Sequence, residues 1–587
     1  MRSDTSPIVL KPADYSPDMP IYENPGSGNI QNAIPLTPNS YGPFLGLAAY
    51  GSAISGQCLG AICAEDADAT NYVFCGDATD LFVYSDSTTP TNVSKSSAVY
   101  TLSTGQRWRF LQFGQYVLAT DYADPIQSFL LGTSTKFADL ANGNISSLTL
   151  VAGTGYTPGT YALAVTGAGG GSGFAGTVTV NGGGGLASYV ITSVGKLYPQ
   201  TATIAIPAGA GSGSGGSITP TIQTIAPNAR YIAAIDGWCV VAGTNDSVNG
   251  NNPQRVWWSA LNDPTDWPVV GTSTSAALQS GYNDLFGDGG WNMGIVGNLG
   301  NADGAVFQER TVWRILLAGP PGTFSFIQAE GVKGCVAPNS IIHLGPLCYY
   351  WAQDGIYKFD GSQSFPLGAN RVDRTIYSMV DFSNINRVDG CVDPTNKMIY
   401  WAFPSLSNSN GNPDTILGYN WVLDKFSLIT GVTCETMFYS LSFGTTLANM
   451  PGGNLSQINV PLSSRLWTGG TLNLSGFNTS HQLSYFNGMT LQATLDTMEI
   501  QPYPGQMSFV QNTRPLVDGG LPTVALAARN RLIDTSSFNS AAPINSFGTC
   551  PNTVNGRYIK AEVVIPAGSQ WTHVQGVELE AIPNGVQ

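Results

Sequence analysis

Histidine is nearly absent from this chain: His343, His481 and His573 are the three it has in 587 residues, and none stands at ligand spacing from another or from a cysteine pair. A His/Cys metal centre needs such clustering, so no metal and no cofactor is expected. The nine cysteines (Cys58, Cys63, Cys75, Cys239, Cys335, Cys348, Cys391, Cys434 and Cys550) are scattered, odd in number and free of CxxC spacing. They read as small buried apolar side chains of a chain made in a reducing cytoplasm. Charge is scarce too, with Asp, Glu, Lys and Arg at 11% of residues, where about a quarter is usual. The 38 acids outnumber the 24 bases, for a net charge of −14. That balance argues against wrapping nucleic acid, which draws on clustered Lys and Arg. It leaves open an acidic wall past which DNA slides without sticking. The N-terminus lacks the apolar core of a signal peptide and no window reaches the ~18 consecutive apolar residues of a membrane span, so a soluble chain is expected. No nucleophile elbow, HExxH or Walker loop occurs; the GGGSG and GSGSGG runs lack a lysine to reach phosphate and precede no helical pattern.

What the chain has in plenty is punctuation and aromatics: 70 Gly and 36 Pro beside 25 Tyr, 24 Phe and 12 Trp. Gly and Pro mark turns while aromatic residues fill half-buried pleated surfaces, so many short strands and few helices are expected. The stretch 305–361 shows the pattern in miniature. VFQERTVWRILL reads as two strand pieces hinged at Glu309 and Arg310, and LCYYWAQDGIYKFDG as a hairpin turning at Asp354-Gly355. An Asp-Gly pair between apolar runs supplies the positive φ that a tight hairpin turn requires. Similar units occur at NYVFCGDATDLFVY, RWRFLQFGQYVLATD, RYIAAIDGWCVVAG and DPTNKMIYWAFPS. A return about every 40 to 60 residues is the pattern of a β-propeller, whose blades stack radially; a pair of β-sandwiches gives similar hairpins.

The expected fold is therefore all-β, a β-propeller core in two parts, 46–143 and 227–433, with three additions. Residues 1–45 read as an extended N-terminal arm, because each Pro removes a backbone donor and Ile34, Leu36, Tyr41, Phe44 and Leu45 offer apolar anchors. Residues 144–226 read as an inserted Gly-rich β module with an internal duplication, which places Tyr156 opposite Tyr198 and one glycine run opposite the other. A flexible linker has no reason to repeat tyrosines and alternating strands. Residues 434–587 shift to long polar strands and read as a C-terminal β-sandwich or platform.

Paired carboxylates, which suffice for sugar hydrolysis, raise a glycosidase reading for Glu65 with Asp66, Asp77 with Asp80, Asp263 with Asp266, and Glu309. Asp66 with Asp68, and Asp284 with Asp288, raise a calcium reading but lack the ligand spacing of a calcium loop. Most of these acids stand in turns, where Asp serves backbone hydrogen bonding, so no enzyme is expected and no catalytic residue is assigned. Tyr156, Tyr161 and Tyr198 of the module are candidate glycan contacts by ring stacking, weighed against core filling.

The chain resembles the tail-nozzle proteins (also called tail-tube, DNA-stabilisation or tail-hub proteins) of short-tailed bacteriophages. The resemblance rests on NAIPLTPNSYGPFLGL, FCGDATDLFVY, WRFLQFGQYVLATDYADPIQSF, RVWWSALNDPTDW, GDGGWNMGIVG, VFQERTVWRI, GCVAPNSI, WAQDGIYKFDG, VDPTNKMIYWAFPS and GRYIKAEVVIPAG, and leaves out 144–226. It implies a virion tail protein made in the host cytoplasm that forms a ring, six-fold, below portal and adaptor proteins. That ring would pass double-stranded DNA through its lumen without tight binding, hold fibre or spike proteins and meet the host surface indirectly. The arm would lace neighbouring subunits together. The alternative is a virion-borne or secreted carbohydrate-binding or depolymerising propeller.

Overall fold

The structure is a computed structural model. It describes residues 8–20, 26–85, 88–96, 99–103, 105–140, 143–167, 171–196, 198–199, 201–223, 226–246, 249–443 and 470–585. It is all-β and multi-sheet, with two short α-helices, Ser273–Ala277 and Asp373–Met379, among the described residues. Seven four-stranded antiparallel units dominate it, designated sheets I to VII. Sheets I to VI lie in chain order at 61–92, 109–139, 228–284, 292–330, 342–366 and 389–430. Sheet VII is assembled from both ends of this run: Cys434–Leu441, Leu472–Asn478 and Gln482–Tyr485 take their fourth strand from Ala48–Ala53.

The hairpins follow from their turn residues. Ile235 pairs with Trp238 across Asp236 at φ 45° and Gly237 at φ 90°, the two positive φ values that match strand twist. Trp351 pairs with Ile356 across a longer, four-residue connection, Ala352 to Gly355, closed by the Ala352 N–H on the Gly355 carbonyl at 2.9 Å; here Asp354-Gly355 does not supply two positive φ values, so the tight two-residue turn expected there is not formed. Each sheet is apolar on both faces, as Met398–Phe403, buried along its whole length, illustrates. Such a sheet must be covered twice, and here each is covered by its two neighbours. One hydrophobic cluster fills each seam, in order from I/II around to VII/I. The first strands of neighbouring sheets pack side by side from I to IV and from V to VII, the first strand of sheet IV meets the second strand of sheet V, and the first strand of sheet VII returns to that of sheet I, so the packing runs in a circuit. At its centre lies a cavity of about 470 Å³ lined from five of the seven first strands, by Ile62, Gln112, Ile342, Val392 and Phe438 among others.

The segment expected to be an extended arm is instead knitted into its own chain. Ile8–Leu10 pairs with Trp571–Pro583, and the hairpin Ala33–Thr37 with Ser40–Pro43 extends the same sheet. Pro35 is accommodated because Ala33–Thr37 is an edge strand. Ile30–Gln31 bridges Lys425–Thr430 of sheet VI to Ala493–Asp496 and so joins sheet VI to the C-terminal strands in a sheet of nine. The C-terminal strands form two layers sharing one core, with Val510, Val574 and Leu579 from one and Leu526, Ile559 and Val563 from the other. The expected start of that region at 434 also shifts, since the strands through Tyr485 belong to sheet VII. Composition could not reveal that their partner strand lies some four hundred positions earlier.

The insertion folds as two exchanged halves. The long strand Asn144–Thr154 of the first half pairs with Ser214–Gln223 of the second, and the equivalent Leu186–Lys196 pairs with Ser172–Val180 of the first. Its hydrophobic cluster draws only on residues between Ile145 and Ile222. Entry and exit are adjacent, because Asn144 and Gln223 are register partners.

Two outcomes follow from this packing. Replacing 144–223 by a short Gly-Ser link should leave a soluble protein whose main calorimetric transition shifts by only a few degrees; an insoluble or non-cooperative product would show that the module supports the circuit. Phe477→Ala, at a fully buried position in the VII/I seam, should destabilise by about 3–5 kcal/mol in denaturant titration. A cost below about 1 kcal/mol would show that the seam is not packed as described.

Candidate functional site

Two of the three tyrosines read as glycan contacts, Tyr156 and Tyr198, are core residues. Tyr156 and Tyr198 are 6% and 4% exposed, so their ring faces are closed to a ligand. Each lies in a slot of glycines: a Cβ on Gly213 would fall 2.4 Å from the Tyr156 ring, and one on Gly171 2.4 Å from that of Tyr198. Each hydroxyl accepts a backbone N–H, Tyr156 from Gly216 at 3.2 Å and Tyr198 from Phe174 at 3.1 Å. The glycine runs are thus the sockets of the duplicated tyrosines. Tyr161, half-buried, donates its hydroxyl to the Thr157 carbonyl at 3.0 Å.

The carboxylates serve turns and ion pairs. Asp66 Oδ1 accepts from the N–H groups of Asp68 and Thr70, each at 2.9 Å, and these bonds hold its carboxyl below the usual range. Asp77 Oδ1 accepts from the N–H groups of Thr79 and Asp80 at 2.8 and 2.7 Å. Asp263 accepts from the Thr265 N–H at 3.0 Å and pairs with Lys196 of the module at 3.4 Å. Asp284 takes a two-pronged bond from Arg255 at 2.7 and 2.9 Å, and Asp354 accepts the Tyr357 hydroxyl at 2.8 Å. Among the described residues, no group of three or more His, Cys, Asp or Glu side chains is placed to hold a metal ion.

What the tertiary structure does bring together is arginine. Arg107, Arg109 and Arg230, from the segments that open sheets II and III, line the mouth of a small cavity of about 70 Å³, and Arg387, the last residue of the helical turn Phe382–Arg387, lies near Arg107. The local sequence explains their exposure to this space. Trp108 is driven into the I/II seam, where its Nε1 donates to the Asp77 carbonyl at 2.8 Å, so alternation turns its neighbours Arg107 and Arg109 the other way. Arg230 is clamped between the rings of Tyr122 and Trp291, at 4.3 and 5.1 Å, and Arg109 lies over Tyr231 at 5.3 Å. Tyr122 holds a left-handed φ of 75°, uncommon for a bulky side chain, and is anchored by donating its hydroxyl to Asn251 Oδ1 at 2.5 Å. Burial lowers the pKa of Arg109, and that of Arg387, below the usual arginine value.

Sequence reasoning passed over this cluster, since RWRFLQ and NARYIAAIDG were read only as strands. Two arginines flanking one Trp in a chain of 24 basic residues were the available signal.

No family model matches the chain, and no curated protein matches it. Solved structures give faint likenesses. Apo AztD from Citrobacter koseri is 11% identical at a TM-score of 0.28, covering 66% of this chain and 95% of that one. The computationally designed Ika8 protein is 8% identical at 0.33, covering 75% and 99%. The dihydro-heme d1 dehydrogenase NirN is 9% identical at 0.29, covering 94% and 80%. Likenesses this faint carry no argument about ligand or activity.

Asp121 lies in the same mouth, 2% exposed, and burial pushes its carboxyl up to about 7 although Oδ1 accepts the Asp124 N–H. The folded protein therefore holds a proton that the unfolded chain, with the ordinary value of 3.8, releases. By linkage this group's contribution to stability falls as pH rises from about 4 to about 7 and is level above. Asp121→Asn keeps the accepting oxygen and removes the titration. Its denaturation midpoint relative to wild type should rise between pH 5 and pH 8; a difference independent of pH would refute the shift.

Proposed function

We propose that this chain is a structural subunit of a bacteriophage short tail, a nozzle wall whose seven sheets form a β-propeller and whose C-terminal layers form a sandwich-like platform. The observation that carries the reading is where the resemblance falls. FCGDATDLFVY, VFQERTVWRI, WAQDGIYKFDG and VDPTNKMIYWAFPS are hairpins of the seven-sheet circuit, and GRYIKAEVVIPAG is a core strand of the C-terminal layers. These motifs coincide with the parts that make the body rigid, and none lies in the inserted module. A scaffold whose activity is to be a wall needs rigidity more than it needs reactive groups.

Ring assembly with like subunits cannot use the arm from Gly26 to Pro43, which is already paired within its own chain. Intersubunit contacts then fall to exposed apolar side chains such as Phe286, Val332, Ile533 and Phe547, which are 76%, 83%, 85% and 86% exposed. The carbohydrate-binding alternative keeps only the half-buried Tyr161 of its three named contacts, because Tyr156 and Tyr198 are buried.

Electron micrographs of the purified protein mixed with the portal and adaptor proteins encoded beside it should show rings with a central lumen. A chain that stays monomeric at every concentration in that mixture would sink the proposal.

A further inference from the structure

We propose that the arginine-lined mouth of the small cavity is a binding site for one phosphoryl oxyanion. Three guanidinium groups, of Arg107, Arg109 and Arg230, converge there in a chain whose net charge is −14, with Arg387 near Arg107, and their local counter-charge is incomplete. Arg107 pairs with Asp389 at 3.4 Å, but that same carboxylate oxygen already accepts the Thr436 hydroxyl and the Met437 N–H. The Arg107 side chain is 8% exposed, and its Nη1 is buried without a hydrogen-bond partner, as is Arg230 Nε. Arg109 and Arg230 meet aromatic faces, which fix the planes of the two guanidinium groups but supply no anionic charge.

Taking a cation out of water costs several kcal/mol unless an anion and hydrogen-bond acceptors compensate it. Asp121 compensates little, since its burial favours the uncharged acid up to about neutral pH. A bound oxyanion would supply what is missing. Planar guanidinium forks match the paired oxygens of phosphoryl groups, and charge-assisted bonds of this kind are about twice as strong as neutral ones. The mouth also offers an unpartnered acceptor in Asn339 Oδ1. An anion that still carries a proton, as phosphate does near neutral pH and sulfate does not, can therefore donate as well as accept. The cavity between these residues is about 70 Å³, room for two waters at ~30 Å³ each. One tetrahedral oxyanion fits that space, while anything attached to it must lie outside the mouth.

The test is calorimetric titration of the full-length protein with inorganic phosphate, sulfate, chloride and a nucleoside monophosphate at matched ionic strength. Phosphate should bind one per chain, at least tenfold more tightly than sulfate. Arg109→Gln and Arg230→Gln should each weaken it at least tenfold, while Arg310→Gln, on an exposed arginine, should leave it unchanged. Thermal unfolding of each variant without ligand checks that it is folded; if neither arginine variant folds, saturable protection of the wild type by phosphate over sulfate decides. The monophosphate arm separates the sources: binding as tight as that of phosphate indicates an esterified group, and binding of inorganic phosphate alone indicates the free ion. Equal effects of chloride and phosphate, or full affinity in folded variants of both arginines, would overturn the proposal.

Discussion

The structure depends on one set of backbone hydrogen bonds, those joining Ala48–Ala53 to Gln482–Tyr485. Seven sheets that are apolar on both faces have no free end at which to stop, because an open circuit would leave two buried faces in water. Closure removes both, and here it is made by a strand from the start of the run completing a sheet from its end. The seam it seals holds Phe477, Tyr84 and Val73. A buried Glu435 lies beside it, with Oε2 accepting the Cys58 N–H at 2.8 Å and Oε1 facing His481 Nδ1 at 2.6 Å. Burial raises the carboxyl of Glu435, so the seam carries a polar group that these bonds must hold.

The N-terminal segment extends the same logic. Its short strands occupy positions that sheet VI and the C-terminal layers would otherwise leave as exposed edges, and an unpaired edge invites pairing with another chain. The first and last parts of the sequence thereby become structurally inseparable. The inserted module is the opposite case. With its own core and adjacent ends, it meets the host at the bridge between Gly143 and Tyr198, at the exposed Lys196–Asp263 pair and around a cleft of about 520 Å³.

Within the module, duplication acts through strand exchange. Two similar halves that each paired their own strands would make two small sheets with little core between them. Exchanging the long strands makes the two longest pairings contacts between halves, while the short strand Gly159–Ala162 stays with its own half, and the buried Tyr156 and Tyr198 sit in equivalent glycine sockets. The sequence repeat was visible. That its tyrosines face inward was not, because an aromatic ring among glycines reads equally well as a binding platform and as a core plug until the facing strand is known.

Composition and turn chemistry determined that this chain is all-β, and located hairpins such as those at Asp236-Gly237 and Asp354-Gly355, because φ preferences and apolar alternation are local. They also marked the duplication, which is a relation between nearby segments. Tertiary structure decided the number of sheets in the circuit, the strand that closes it, the fate of the N-terminal segment and the gathering of Arg107, Arg109 and Arg230 at one mouth. Those three residues come from the segments that open two different sheets, and Ala48–Ala53 finds its partner more than four hundred residues away. Pairings over such distances are set by which buried faces remain to be covered, a condition that no local stretch of sequence records.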